Sequence, residues 1–91
     1  MDNTTARTIL AAPTLAEAYI AIGNLQWATK CHPQEKGITF TRGGGTKYVV
    51  RLSYDALIVE SLTSGETRDN AELTAKLNRE IFRMRLVAFV E

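Results

Sequence analysis

The chain has 91 residues, of which 45% are hydrophobic and 23% are charged, and its formal net charge is +1. This length and composition predict one ordered globular domain and are unlike those of a disordered tail. The near balance of charges argues against binding to nucleic acid or membrane through electrostatic attraction alone.

The cysteine content and the hydropathy pattern restrict the compartment. Cys31 is the one cysteine, so no disulfide can form within the chain, and a reducing compartment is favoured. The N-terminal MDNTTARTIL begins acidic and lacks the apolar run of a signal peptide. No stretch approaches the roughly 18 apolar residues of a membrane span. The sequence therefore predicts a cytoplasmic protein that does not interact with membranes.

The first predicted element is a helix that begins at a capping box. Thr14 and Glu17 have the spacing at which each side chain accepts a backbone N–H of the first turn. Hydrophobic residues follow at positions i, i+3, i+4 and i+7, namely Leu15, Ala18, Tyr19 and Ile22. Gly23 weakens the pattern, so we predict a helix over 14–23, with an extension to residue 29 as the alternative.

A β-hairpin is predicted in the middle of the chain. The polar run KCHPQEKG, residues 30–37, predicts a loop, because Pro33 and a terminal glycine frame it. Segments 38–41 and 47–52 then alternate between hydrophobic and polar residues on either side of three glycines, which is typical of a hairpin. The alternation assigns to the core Ile38, Phe40, Tyr48, Val50 and Leu52.

A third antiparallel strand is predicted over 57–62. The turn residues Ser53-Tyr54-Asp55 precede it, and the run is rich in β-branched and aliphatic residues. If Leu57 and Val59 face the core, their neighbours face the other way. The segment TSGETRDN, residues 63–70, predicts the next loop.

The last predicted element is a helix over 69–88. Asp69 and Glu72 repeat the capping spacing, and Glu72 forms a favourable i, i+4 pair with Lys76. Hydrophobic residues recur at helical spacing: Leu73, Leu77, Ile81, Met84 and Ala88, with Phe82, Leu86 and Phe89 widening the stripe. The alternative is a fourth strand at 84–90, because RMRLVAFVE also alternates. No Gly or Pro separates it from the helix, which favours one continuous helix.

These elements follow one another in the order α-β-β-β-α. We predict an α+β fold, a two-layer sandwich in which two helices cover one face of a three-stranded antiparallel meander. The single domain spans 14–91, and residues 1–13 form an N-terminal arm. The same order occurs in double-stranded-RNA-binding domains and in some small toxins that act on RNA. Their basic cluster and histidine-containing loop have no match here, so the analogy is one of topology only.

The stretch TRGGGTKY, residues 41–48, invites comparison with a phosphate-binding loop. Such a loop needs the spacing G-x-x-x-x-G-K-[ST] and leads into a helix. Here the glycines lead into YVVRL, a strand, so we predict a hairpin turn in which glycine permits a positive φ. A third interpretation is that Arg42 and Lys47, which flank the glycine tip, contact a phosphate backbone or an acidic partner.

No catalytic or metal-binding constellation is visible in the sequence. His32 and Cys31 are too few ligands for zinc, and adjacent side chains in an extended loop point apart. The carboxylates lie near turns or on solvated faces, namely Asp55, Glu60, Glu66, Asp69 and Glu72. We therefore predict a protein that is not an enzyme and that needs no cofactor or metal. A small hydrolase is the least supported hypothesis.

The outward face of the predicted sheet is a mixed surface. Alternation places on it Thr39, Thr41, Lys47, Val49, Arg51, Ile58 and Glu60. This composition fits either the solvated side of an antiparallel sheet or a docking surface. We predict a partner-binding set of Arg42, Lys47, Val49, Arg51, Ile58 and Glu60. Val49 and Ile58 would supply the apolar contacts.

The predicted function is that of a small protein-interaction module that docks on a partner protein and occludes it. Docking would use the sheet face or an unpaired strand edge, and self-association into a homo-oligomer is compatible with both. Ordered chains of this size without a catalytic set commonly serve phages and other mobile elements as inhibitors or accessory proteins. The alternative is nucleic-acid binding by the basic hairpin and the basic face of the C-terminal helix, with affinity that falls steeply with salt. Its residues would be Arg42, Lys47, Arg51, Lys76, Arg79 and Arg83, with Arg85 nearby.

Overall fold

A computed structural model of the chain describes residues 11–43, 45–63 and 66–90. Over these residues, five strands lie between two helices along the chain. The strands form one antiparallel sheet in chain order. The elements are α1 (Leu15–Gly23), β1 (Ala28–Gln34), β2 (Gly37–Arg42), β3 (Lys47–Ser53), β4 (Ala56–Thr63), β5 (Glu66–Asp69) and α2 (Ala71–Val90). The predicted α+β class and the meander are confirmed, and the sheet has two strands more than predicted.

The two additional strands occupy segments that were predicted as loops. In β1 the register shifts between Thr29 and His32. These two residues are three positions apart, whereas their partners on β2, Thr41 and Thr39, are two positions apart. Lys30 lies in this β-bulge with a φ of 51°. A bulge breaks the alternation by which a strand is recognised, and β5 has only four residues, all exposed and none hydrophobic. With five strands, the topological analogy to double-stranded-RNA-binding domains no longer holds.

The core lies between the sheet and the two helices, which pack on the same face. The sheet contributes Ile38, Phe40, Tyr48, Val50, Leu57 and Val59, which confirms the predicted alternation in β2, β3 and β4. The helices contribute Ala18, Ala21, Ile22, Leu73, Leu77 and Ile81. Leu52 is an exception to the prediction: it is 38% exposed, because it lies one residue from the end of β3.

Helix α1 begins at the predicted capping box. The Glu17 N–H donates to Thr14 Oγ1 at 3.2 Å, and the Thr14 N–H donates to Glu17 Oε1 at 3.3 Å. The buried face differs from the prediction, because Tyr19 is 44% exposed and Ala21 is fully buried. The helix therefore turns its small residues toward the sheet and leaves the tyrosine ring at its margin.

Helix α2 is capped by Asn70, one residue later than predicted. Asn70 Oδ1 accepts the Leu73 N–H at 3.0 Å. The Asn70 N–H donates to the carbonyl oxygen of Val59 at 2.8 Å, and the Val59 N–H donates to Thr74 Oγ1 at 3.0 Å. These bonds provide partners for backbone groups of β4 that lie beyond the end of β5. The first turn of α2 therefore takes the place of a neighbouring strand at this position.

The C-terminal segment 84–90 is helical, which confirms the continuous helix over the alternative strand. Its buried stripe is narrower than predicted. Phe82 and Ala88 are exposed, and Met84 is half-buried. Residues 1–10 of the predicted arm lie outside the described residues.

The turn between β3 and β4 holds a strained residue. Tyr54 has a φ of 56° and is 99% exposed. A bulky residue in the left-handed region is disfavoured, whereas asparagine tolerates it. We expect Tyr54→Asn to raise the free energy of unfolding by about 0.5–1 kcal/mol, as measured by urea denaturation. Asp55→Asn in the same turn is the control. An unchanged or lower stability of Tyr54→Asn would contradict the prediction.

Candidate functional site

Five of the six predicted partner-binding residues lie together on two adjacent strands, β3 and β4. Lys47, Val49 and Arg51 alternate along β3, and Ile58 and Glu60 along β4. In the register of the two strands, Val49 is opposite Glu60 and Arg51 is opposite Ile58. Leu62, opposite Lys47, belongs to the same surface. The alternation of 57–62 already indicated Leu62, and the sequence prediction missed it.

This surface, the open face, is the side of the sheet opposite the core. We define it by Thr39, Thr41, Lys47, Val49, Arg51, Ile58, Glu60 and Leu62. Within the described part of the chain, both helices pack on the other side of the sheet. Val49, Ile58 and Leu62 are half-buried by their neighbours in the sheet. Apolar side chains are therefore interspersed with charged ones on the open face, since Glu60 lies between Ile58 and Leu62 along β4 and opposite Val49.

The charges on the open face are nearly balanced. Arg51 Nε donates to Glu60 Oε1 in an ion pair between β3 and β4. The Glu60 side chain is 16% exposed and that of Arg51 is 41% exposed, so the pair lies within the surface. Lys47 carries one positive charge, and Asp69, at the margin on β5, carries one negative charge. With Asp69 counted, the four charges of the open face and its margin sum to zero.

Both outer strands of the sheet carry features that hinder pairing with another strand. The bulge interrupts β1, and Pro33 lies within the same strand. Strand β5 is short, and Glu66 forms an exposed ion pair with Arg68 on it. Bulges, prolines and charges of this kind are common protections of sheet edges.

The described glycines of the stretch, Gly43 and Gly45, lie at the tip of the β2–β3 hairpin, as predicted. Gly45 has a φ of 100°, and its N–H donates to the Arg42 carbonyl oxygen at 2.7 Å. The Arg42 N–H donates to the Thr46 carbonyl oxygen at 2.8 Å. The register places Arg42 opposite Ala28, so its side chain lies on the helix side of the sheet and not on the open face.

Arg42 is instead part of an aromatic cluster around Trp27. The Trp27 ring lies 6.0 Å from the rings of both Phe40 and Tyr48. The Arg42 guanidinium carbon is 4.8 Å from the Trp27 centroid, and Lys76 Nζ is 5.8 Å from it. The predicted pairing of Lys76 with Glu72 is therefore wrong: no ion pair joins these two described side chains. No sequence pattern indicated this cluster, because its residues come from distant parts of the chain.

The other basic residues of α2 do not form a continuous patch with the hairpin. Arg83 pairs with Glu80 one turn earlier on the same helix. Arg85 Nε donates to Glu17 Oε2 at 2.6 Å, and Arg85 Nη2 donates to Glu17 Oε1 at 2.7 Å. These bonds hold the pKa of the Glu17 carboxyl below its usual range. Arg85 is thus a structural residue that joins the two helices.

Cys31 and His32 are neighbours in β1, but their side chains have different surroundings. Cys31 packs against the core, whereas His32 is exposed opposite Thr39. Burial raises the pKa of the Cys31 thiol, which disfavours the nucleophilic thiolate. The two side chains therefore do not form a nucleophile–base pair.

Comparison of the chain with protein-family models, with curated proteins and with solved structures returned no match. Over 11–43, 45–63 and 66–90, no helix is both long enough and apolar enough to cross a membrane. The same residues contain no group of three or more His, Cys, Asp or Glu side chains that could hold a metal ion.

Proposed function

We propose that this protein is a non-enzymatic interaction module that binds a partner protein through the open face. The observation that carries the proposal is the set of half-buried apolar residues on that face, Val49, Ile58 and Leu62, which no described helix covers. Apolar residues interspersed with a paired charge and threonines give the mixed composition that is typical of non-obligate protein interfaces. In keeping with the sequence prediction, we propose the role of an inhibitor or accessory protein of phage or mobile-element type, which occludes its partner's surface in the cytoplasm.

The chemistry of the open face favours a protein over a nucleic acid as the partner. Binding to a phosphate backbone needs an excess of cations, and the ion pair with Glu60 neutralises Arg51. Single-stranded nucleic acid also needs aromatic rings on which bases stack. Among the described residues, the rings of Trp27, Phe40 and Tyr48 all lie on the helix side. The open face, as far as the structure describes it, lacks both requirements.

The open face is also favoured over the strand edges as the docking surface. An added strand would need a regular row of free backbone groups. The bulge and Pro33 in β1 and the short, charged β5 interrupt that row at both edges. Side-chain contacts on the face are therefore the better-supported mode of docking, for a foreign partner and for a second copy alike.

The size of the open face limits the affinity to be expected. Five strands about 4.8 Å apart and six residues long give a flat area of roughly 400 Å². A standard interface buries about 800 Å² on each partner. We therefore expect a small interface with a dissociation constant in the micromolar range unless the partner also contacts the hairpin ends.

The test compares a variant with substitutions on the open face with a control variant that carries matched substitutions on the helices. The open-face variant is Val49→Asp, Arg51→Glu and Ile58→Asp. The control variant is Ile20→Asp, Arg79→Glu and Val87→Asp, which changes exposed residues of α1 and α2 with the same chemistry. We expect wild type and control to capture the same partner from the native host in a pull-down read by mass spectrometry, and the open-face variant to lose it. Titration with the purified partner should show the same order.

The folding of the variants is checked by circular dichroism. If the open-face variant does not fold, the double variant Arg51→Glu with Glu60→Arg serves in its place, because it keeps an ion pair between the strands but reverses the positions of the charges. Equal capture by wild type and a folded face variant would reject the open face. A wild type that captures no partner and sediments as a monomer would reject the interaction module itself.

A further inference from the structure

A second surface lies on the helix side of the sheet, where the β2–β3 hairpin meets the first turns of α2. It is a pocket of about 150 Å³, which we call the Trp27 pocket, and its walls include Trp27, Arg42, Tyr48, Asn70, Glu72 and Lys76. A water molecule needs only about 10–15 Å³ of such space, so the pocket holds several waters or one small anionic group. The sheet separates it from the open face.

The Trp27 pocket brings together two cations that have no anionic partner among the described residues. Arg42 comes from the end of β2 and Lys76 from the second turn of α2, and both lie over the same indole ring. No described carboxylate lies within ion-pair distance of either. Their distances to the ring place the two charges within roughly 11 Å of each other, so an anion between them would lie within the Debye length of about 8 Å of both. An anion in the pocket would therefore be attracted by both.

The indole ring favours the approach of the two cations to each other in the absence of an anion. The negative face of a tryptophan ring attracts a guanidinium or an ammonium group, and this attraction offsets part of the repulsion between the two charges. Tyr48 and Phe40 fix the ring from the core side, with the Phe40 and Tyr48 centroids 5.1 Å apart. The positively charged pocket is thus pre-organised for an anion, which lowers the free-energy cost of binding one.

We propose that the Trp27 pocket binds the phosphate group of a small phosphate monoester, with Arg42 and Lys76 as its charge partners. A phosphate monoester carries about two negative charges at neutral pH, which matches two cations better than a carboxylate does. The positive end of α2 at Asn70 adds to the attraction. Glu72 opposes it and leaves the pocket with a net charge of +1 from its described side chains. Arg42, which precedes the glycines, thus contributes to the proposed phosphate site, and no phosphate-binding loop is involved.

Trp27 is the one tryptophan of the chain, so its fluorescence reports on the pocket directly. The experiment titrates the full chain with inorganic phosphate, phenyl phosphate and AMP at constant ionic strength, and isothermal calorimetry provides a second readout. We expect saturable binding of the wild type. Arg42→Gln and Lys76→Gln should each weaken it about tenfold, and Glu72→Gln should tighten it several-fold by removing the repulsion.

Lys47→Gln and Arg79→Gln are the matched controls, because both remove an exposed cation outside the pocket. They should leave binding unchanged, as should the open-face variant, so that this test is independent of the proposed function. Tighter binding of AMP than of phenyl phosphate would identify a nucleotide as the source of the phosphate, and equal binding would identify the phosphate group alone. The proposal fails if no probe saturates or if Lys47→Gln weakens binding as much as Arg42→Gln does.

Discussion

Replacing Arg85 with alanine is expected to lower the free energy of unfolding by about 2 kcal/mol near neutral pH, because a largely buried, bidentate ion pair is lost. The side chain of Arg85 is 12% exposed and that of Glu17 is 25% exposed. Two of the guanidinium nitrogens bind the carboxylate, and Arg85 also donates to the carbonyl oxygens of Ala11 and Ala12 at 2.7 and 3.1 Å. One side chain therefore connects α2, the capping box of α1 and the residues before it.

The loss in Arg85→Ala should depend on pH in a defined direction. The Arg85 hydrogen bonds lower the pKa of Glu17 in the folded state. A carboxyl with a lowered pKa stabilises the fold above its unfolded pKa of about 4.3, and this contribution disappears as the pH falls through the folded pKa. The stability difference between wild type and variant should therefore be largest above about pH 5 and narrow below about pH 4. The bonds to Ala11 and Ala12 leave a remainder at low pH.

Urea denaturation of both proteins between about pH 3 and pH 7 measures this difference. A double-mutant cycle with Glu17→Gln isolates the coupling between the two side chains, since the glutamine amide keeps an acceptor for the capping box but loses the charge. Arg83→Ala is the control: its side chain is 60% exposed and pairs with Glu80 of the same helix, and we expect a small change in stability. A difference between wild type and Arg85→Ala that does not vary with pH would show that Glu17 is not its cause.

The sequence predicted those parts of the fold that follow a regular period. The capping box at Thr14, the hairpin around Gly45 and the alternation in β2, β3 and β4 depend on neighbouring residues, and each is found in the structure. Strand β1 was missed because its bulge breaks the period of two, and β5 because it buries no side chain. Periodicity identifies a strand only when the strand is regular and has one buried face.

The same reasoning explains which parts of the candidate sites were predictable. The open face follows from alternation within three adjacent strands, so seven of its eight residues, all but Leu62, were assigned to it from the sequence. The Trp27 pocket depends on the approach of Arg42 and Lys76 from different elements, and the ion pair of Arg85 with Glu17 spans 68 positions in the chain. Contacts at such separations are fixed by the packing of whole elements, about which a local pattern carries no information.

A single added methyl group at Gly37 is expected to have a larger effect on stability than the loss of Arg85. A Cβ at this position would lie 2.5 Å from the Val50 carbonyl oxygen and 4.0 Å from Arg51 Cα. Both are backbone atoms of the central strand β3, so a rotamer change cannot relieve the clash. We expect Gly37→Ala to lower the free energy of unfolding by about 3 kcal/mol, at the upper end of overpacking effects.

Gly23→Ala is the matched control for this substitution. Gly23 is the last residue of α1, and a Cβ there would have no neighbouring atom within 4 Å. Because alanine favours the helix, we expect this variant to be as stable as the wild type or more stable by up to about 1 kcal/mol. Thermal and urea denaturation of both variants measures the contrast, and equal stabilities would contradict the close approach of β2 and β3.

Gly37→Ala also tests the proposed function, because the displaced backbone carries Arg51. The ion pair of Arg51 with Glu60 holds the charged part of the open face between β3 and β4. A shift of β3 at Val50 should disturb this pair and weaken partner binding even at temperatures where the variant is folded. The Trp27 pocket lies at the other end of β2, beside Arg42 rather than Gly37, so phosphate binding by the folded variant should be retained. Gly37→Ala therefore separates the two surfaces: one substitution should impair the open face and spare the pocket.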